Sequence, residues 1–273
     1  MDLFSQEKIV EKYSGQLQKL AARIPGYFKE KDIHDWRVAY KKLRAFLRMI
    51  TVMVNGHVPL MTKDIRKMYA AAGETRQLSL YLSVFESNVG APIESYPAYT
   101  GTLNKQLFAA KENFTRRLDV FSFENEMARW NVMLPGYLTS DIIKTFLQKK
   151  ITAIGLILLV ADNDETLHAL RKHLKDIIYN YKIFSTDWGI PFPVKAWDNE
   201  KVLIDIAEEL GDYNDRCFAI TYLEGNYTDL LPENEKYELS KIREHLLAEK
   251  QQYQQKVIRQ IKQLSLSKIV KEI

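Results

Sequence analysis

Apolar residues recur along most of the chain at intervals of three and four, the period of an α-helix that buries one face. Near the N-terminus, Ile9, Tyr13 and Leu17 share one side of a helix that we expect to end at Pro25-Gly26. No stretch alternates apolar and polar residues over the length of a strand. The pattern predicts an all-α protein with eight helices, over residues 6–24, 32–55, 62–88, 100–130, 139–161, 163–184, 197–225 and 232–267.

Residues at the helix ends sharpen several of these boundaries. We expect Asp32 to cap the second helix and Thr62 the third, because short side chains with an oxygen accept from the first free backbone N–H groups. The sixth helix begins with DNDE, which places acids where the helix dipole favours negative charge. Residues 184–197, FSTDWGIPFPVKAW, are predicted to form a long structured loop.

The second helix carries an unusual row of charges. In HDWRVAYKKLRAFLR, residues 34–48, cations follow the histidine at steps that return to one side of a helix. The row is about 21 Å long at 1.5 Å per residue. No acid follows Asp35 until Asp64, so no carboxylate nearby in the sequence neutralises it. Its members are His34, Arg37, Lys41, Arg44 and Arg48.

A similar row recurs in the second part of the chain, in the segment HALRKHLKDII and just beyond it. It consists of His168, Arg171, Lys175 and Lys182. A second pair of similar segments follows, AGETRQL at 72–78 and LGDYNDR at 210–216. The two pairs are offset by 134 and 138 positions, which indicates an internal duplication. We therefore expect a single domain made of two four-helix halves, 1–136 and 137–273, related by a pseudo-two-fold axis.

The rows allow two interpretations. Most charged helix faces are simply solvated, but such faces normally mix signs, and this one does not. A row of cations suits a linear polyanion, because arginine meets phosphate oxygens bidentately and lysine supplies a compact charge. A single histidine near a helix N-terminus most often packs or caps. Here each histidine begins one of two similar basic rows, which favours a further role for His34 and His168 as hydrogen-bond donors to phosphate.

Composition limits the class of protein. The chain has 273 residues, of which 46% are hydrophobic and 27% charged, enough for a folded core. A net charge of +4 is modest, so anion binding must depend on where the cations lie. The single cysteine, Cys217, excludes an intramolecular disulfide. The N-terminus lacks the apolar stretch of a secretion signal, and the longest apolar run, 151–161, is too short to span a bilayer. We therefore expect a cytoplasmic protein.

Residues for catalysis or metal binding are sparse. The sequence contains no Gly-rich phosphate loop and no evident nucleophile–base set, so we expect neither an enzyme nor a cofactor. His168 and His173 are five residues apart and do not share a helix face as a metal-binding pair would. Asp212 and Asp215 are suitable Mg²⁺ ligands, but helix capping and salt bridges explain them at least as well. No metal site is predicted.

The two histidine helices resemble the signatures of the CHAD domain (conserved histidine α-helical domain). HDWRVAYKKLRAFLR resembles the first, LHALRKHLKDIIYNY the second, and LGDYNDRCFAITYLE the glycine–asparagine–aspartate segment that follows. The resemblance implies two four-helix bundles with basic residues lining a central groove or pore that binds inorganic polyphosphate. It also implies association with polyphosphate granules and with a triphosphate-tunnel or polyphosphate-metabolising protein. No strand-rich segment is present, so we expect a stand-alone copy.

Carried over position by position, the resemblance assigns polyphosphate contacts to both rows and to Lys42. Two segments depart from the family pattern. RQLS at 76–79 stands where an Arg-Asp-x-Asp run is usual, so we expect Arg76 to be free of competing acids and to meet phosphate. Ile178 precedes Tyr179 where an arginine is usual, which removes one cation from the second row.

Three functions follow, in order of preference. The first is non-enzymatic binding of long-chain polyphosphate through the basic helix faces. The second is a polyphosphate-processing enzyme or an accessory subunit of one. The third is a protein that binds the phosphate backbone of nucleic acids.

Overall fold

The computed structural model describes residues 6–51, 61–88, 93–134, 138–160, 163–187, 189, 200–225 and 230–263. Helices form nearly all of these ranges, and no strand occurs within them, so the all-α prediction is confirmed. A 3₁₀ turn spans Ile93–Ser95 and a single π-helical turn spans Ile183–Asp187. The α-helices are α1 Gln6–Tyr27, α2 Glu30–Ile50, α3 Lys63–Asn88, α4 Pro97–Val120, α5 Phe123–Met133, α6 Ser140–Leu159, α7 Asp164–Lys182, α8 Glu200–Leu223 and α9 Glu233–Gln263.

The fourth predicted helix is in fact two helices. The chain leaves the helical conformation at Phe121 and Ser122, and the Ser122 hydroxyl accepts from the backbone N–H of Asn125 at 3.2 Å. This cap starts α5, with Glu124 and Glu126 in its first turn, where the helix dipole favours acids. The segment SFENE carried this signal, which the apolar period across residues 100–130 obscured.

Two predicted helix ends are also wrong. Helix α1 continues through Pro25 to Tyr27, because a proline near a helix end removes only one hydrogen bond and keeps a helical φ. Asp32 does not cap α2, which begins at Glu30. The buried Asp32 carboxylate instead accepts a hydrogen bond from the Arg23 guanidinium on α1. The Thr62 hydroxyl does lie at the start of α3, where it accepts from the N–H of Ile65 at 3.5 Å.

Two hydrophobic cores hold the helices together, and both are shared between the predicted halves. The larger combines α1, α2, α5, α6 and α7 with the N-terminal parts of α3 and α8 and the C-terminal parts of α4 and α9, and it buries Trp36, Trp130 and Leu174. The smaller combines α4 and α9 with the C-terminal parts of α3 and α8, around Tyr99 and Leu246. The predicted halves therefore share their cores, and the apolar faces of α2 and α7 both contribute to the larger one. The duplication itself stays a prediction.

Some predictions fall on residues outside the described ranges. They include the boundary between the halves at 136 and 137 and most of the loop predicted at 184–197. Residues 184–187 of that loop belong to the π-helical turn. The helix predicted at 32–55 ends earlier than predicted, at Ile50, with Thr51 as its C-cap. Within the described part of the chain, no helix has the length and apolarity that crossing a membrane requires.

A buried asparagine links α7 to α2. Asn180 is fully buried, and its amide nitrogen donates to the carbonyl of Ala45 on α2 at 3.1 Å and to that of Asp176 at 2.9 Å. We expect Asn180→Ala to lower the free energy of unfolding by about 1–3 kcal/mol, because an inter-helix hydrogen bond is lost and a cavity remains. Chemical denaturation measures the change, with the exposed Gln148→Ala as control. A loss no larger than that of the control would contradict this role.

Candidate anion-binding site

Cations from α2 and α7 converge on Lys41. Burial, together with the charges of four neighbouring cations, lowers the pKa of the Lys41 ammonium to about 7. Within the described part of the chain, none of these five partly buried side chains forms a salt bridge. We call them the central basic cluster: Arg37, Lys41, Arg44, Arg171 and Lys175. The structure thus brings together members of both predicted rows.

A glycine on the neighbouring helix makes room for the first arginine of each row. A Cβ atom at Gly73 on α3 would lie 2.5 Å from Nη1 of Arg37, and one at Gly211 on α8 would lie 3.3 Å from Nη2 of Arg171. Arg37 and Arg171 are 134 positions apart and the glycines 138, which are the two offsets found in the sequence. The glycines thus explain the second pair of similar segments, because each lets a helix approach a guanidinium closely.

Two tyrosines that sequence reasoning missed hold the arginines of α2. The ring of Tyr69 stacks on that of Tyr40, with centroids 4.2 Å apart. The Arg37 guanidinium lies 4.5 Å from the Tyr69 centroid and donates to the Tyr69 carbonyl at 3.1 Å. Arg44 lies 5.3 Å from the same ring and 5.5 Å from that of Tyr40. These cation–π contacts orient both guanidinium groups without neutralising them.

The two histidines lie in different surroundings. His34 is exposed, and loss of hydration, with the charges of Lys41 and Arg76, lowers the pKa of its imidazole. His168 is also exposed, and its Nδ1 lies 3.0 Å from Oδ1 of Asn214 on α8. Arg76 is not free of acids as we expected, because Glu30, 46 positions away in sequence, pairs with it at 2.6 Å. Helix packing supplies a carboxylate that the local sequence lacks.

The C-terminal ends of the rows leave the central basic cluster. Arg48 pairs with Asp176 of α7 at 3.0 Å, so a carboxylate does neutralise the end of the first row. Lys42 lies on another face of α2, with Nζ 5.4 Å from the Tyr13 centroid. Lys182 remains linked to the cluster, because its charge helps to lower the pKa of Lys175. At the other end, Asp215 interacts electrostatically with Arg171 and Arg76.

Comparisons with known proteins agree with this architecture. The family model of the CHAD domain matches residues 12–224. The chain belongs to the CHAD domain family. This CHAD domain is similar to the crystal structure of the CHAD domain from the plant Ricinus communis, with a TM-score of 0.73 and 17% identity, covering 95% of this chain and 91% of that one. At that identity the likeness shows the fold alone. No curated protein sequence matches.

The Lys41 ammonium makes the stability of this CHAD domain depend on pH. The unfolded chain holds this proton up to pH 10.5, whereas the folded protein releases it near pH 7. Between these values the unfolded state binds more protons, so stability rises with pH. The free-energy cost of burying the charged Lys41 ammonium is fully present below pH 7 and is lost as the pH approaches 10.5.

We therefore expect Lys41→Met to stabilise the protein more at pH 6.5 than at pH 9, as measured by chemical denaturation. The exposed Lys149→Met, on α6, serves as the control because it removes one ammonium elsewhere. An equal effect of Lys41→Met at both pH values would show that the Lys41 charge carries no such cost.

Proposed function

We propose that this CHAD domain binds inorganic polyphosphate through the central basic cluster and leaves the polymer chemically unchanged. The observation that carries the proposal is the environment of Lys41, where four further cations meet and no described carboxylate pairs with any of them. Such a cluster costs free energy in the unliganded protein. A polyanion removes the repulsion and gains charge-assisted hydrogen bonds.

The two helices suit a linear ligand with closely repeated charge. The first row is about 21 Å long, and the second approaches it near Lys41, so several consecutive phosphates are within reach of both. Arg37 and Arg44 offer planar forks that their tyrosine contacts already orient, whereas Lys41 and Lys175 supply compact amino groups that are charged when protonated. We include His34 and His168, the first residues of the two rows, and Arg76, whose charge acts on His34, among the proposed contacts.

The aromatic residues favour phosphate over nucleic-acid bases. Tyr40 and Tyr69 stack on each other, and the arginines lie over their rings. A base would have to displace these partners in order to stack, so the rings are not an open platform of the kind that single-stranded nucleic acids use. We therefore rank binding to the phosphate backbone of nucleic acids below binding to polyphosphate. A cytoplasmic location, association with polyphosphate granules and a polyphosphate-metabolising partner remain parts of the proposal.

Titration at several salt concentrations tests the proposal directly. Affinity for a long polyphosphate should greatly exceed that for pyrophosphate and should fall steeply with salt, because binding releases condensed counterions. Arg37→Ala with Arg44→Ala should weaken long-chain binding by at least about a hundredfold, since hydrogen bonds to charged groups contribute about 1.5–3 kcal/mol each. Arg171→Ala with Lys182→Ala should weaken long-chain binding less, because the second row has Ile178 where the first has Arg44 and so contains one cation fewer.

The exposed pair Lys149→Ala with Arg259→Ala is the control for total charge, and circular dichroism checks folding. Equal affinity for pyrophosphate and the long polymer would refute an extended site. Phosphate release that tracks the purified protein would favour the enzyme alternative. Displacement of polyphosphate by single-stranded RNA at equal phosphate concentration would favour the nucleic-acid alternative.

A glycine substitution separates binding from stability. Gly73→Ala should leave stability unchanged or raise it by up to about 1 kcal/mol, because alanine favours the helix. The added methyl group should push the Arg37 guanidinium off the Tyr69 carbonyl and weaken polyphosphate binding several-fold, since the contacted atom is the end of a flexible side chain. Gly15→Ala, with open space around its Cβ position, is the matched control. Unchanged binding in Gly73→Ala would show that the Arg37 position is not critical.

A further inference from the structure

A second group of cations surrounds a carboxylate beyond the central basic cluster. Asp187, at the end of the π-helical turn, accepts from Lys12 of α1 at 2.5 Å, and its other oxygen accepts from the Tyr13 hydroxyl. Only 5% of the Asp187 side chain is exposed, so the carboxylate lies within the group rather than above it. Burial lowers the pKa of Lys42, which the Asp187 charge opposes and the charges of Lys182 and Lys12 reinforce. We call Lys12, Lys42, Lys182 and Asp187 the Asp187 cluster.

The related place in the other part of the chain has a different charge balance. At the offset of 134 that relates the two rows, Lys42 corresponds to Asp176 and Arg48 corresponds to Lys182. There the buried Asp176 of α7 forms salt bridges with two cations, Arg48 at 3.0 Å and Lys150 at 2.6 Å.

In the Asp187 cluster a lysine replaces that helical acid. Three cations therefore remain, and the acid that pairs with Lys12 and interacts electrostatically with Lys42 comes from the turn after α7. The cluster consequently keeps more uncompensated positive charge than its counterpart, and its acid is not fixed within a long helix.

Lys182 joins the two clusters. Its charge lowers the pKa of Lys175 in the central basic cluster and also that of Lys42 in the Asp187 cluster. Positive charge therefore continues from Lys41 through Lys175 and Lys182 to Lys42. A ligand with regularly repeated negative charge that occupies the central basic cluster would extend towards the Asp187 cluster.

We propose that the Asp187 carboxylate is an internal anion that occupies a phosphate subsite formed by Lys12, Lys42, Lys182 and the Tyr13 hydroxyl. The inference rests on the proposed function and deepens it, because a polyphosphate long enough to leave the central basic cluster displaces Asp187 and takes over its partners. A short polyphosphate stays in the central basic cluster and leaves Asp187 in place. The competition makes Asp187 a determinant of chain-length preference.

Asp187→Asn tests the inference by removing the charge while keeping the shape. Affinity for a polyphosphate of about one hundred phosphates should rise by about tenfold, because the competing anion is gone and the lysines are free to bind. Affinity for tripolyphosphate should change less than about twofold, since it engages the central basic cluster only. Glu238→Gln, which removes the acid from an exposed pair with Lys241 on α9, controls for net charge.

A second variant keeps the inference testable if Asp187→Asn folds poorly. Lys12→Ala with Lys42→Ala should weaken binding of the long polymer and spare tripolyphosphate, with folding checked by thermal melting. An Asp187 whose role is structural predicts the opposite for Asp187→Asn: equal or weaker long-chain binding, with a lowered melting temperature. Equal gains for both ligand lengths would also overturn the subsite. If the unmodified protein binds neither ligand, the proposed function itself fails, whereas normal binding without these differences overturns the Asp187 subsite alone.

Discussion

Repulsion between cations on α2 and α7 is the constraint around which this domain is organised. Lys41 lies among four other cations, and within the described part of the chain no carboxylate forms a salt bridge with any of the five. Like charges one turn apart on a helix cost about 0.2–0.5 kcal/mol per pair. The opposite faces of the same helices carry large buried side chains such as Trp36 and Leu174, each of which contributes about 1.5–3 kcal/mol on burial. The hydrophobic core therefore holds the two rows together against their repulsion.

The contacts around the rows position the cations without neutralising them. Arg37 rests on Gly73 and donates to a backbone carbonyl, and Tyr69 provides a polarisable face instead of a carboxylate. Where neutralisation does occur, at Arg48 and Asp176, it lies at the end of the row. The cost of ordering the guanidinium groups is thus already met in the folded protein, and a polyanion would meet a preorganised surface.

The apolar period of the sequence was sufficient to predict the fold class and most helix ends, because helical burial is a local pattern. It also placed Arg37, Lys41 and Arg44 on one face. A period cannot indicate which other helix faces that side, so the partners that come from distant segments were missed. Glu30 meets Arg76 across 46 positions and Asp176 meets Arg48 across 128. Tyr69 was missed for the same reason, although the glycines matched in both repeats marked the close approach of α3 and α8.

Proton uptake during binding tests the central claim most directly. Calorimetric titration of long polyphosphate at pH 8, in two buffers of different ionisation enthalpy, measures the number of protons taken up. If Lys41 is held mainly neutral by its surroundings and a bound polyanion restores its charge, the unmodified protein should take up roughly one proton per binding event, and Lys41→Met should take up markedly fewer. Binding without proton uptake, or with the same uptake in Lys41→Met, would contradict the account.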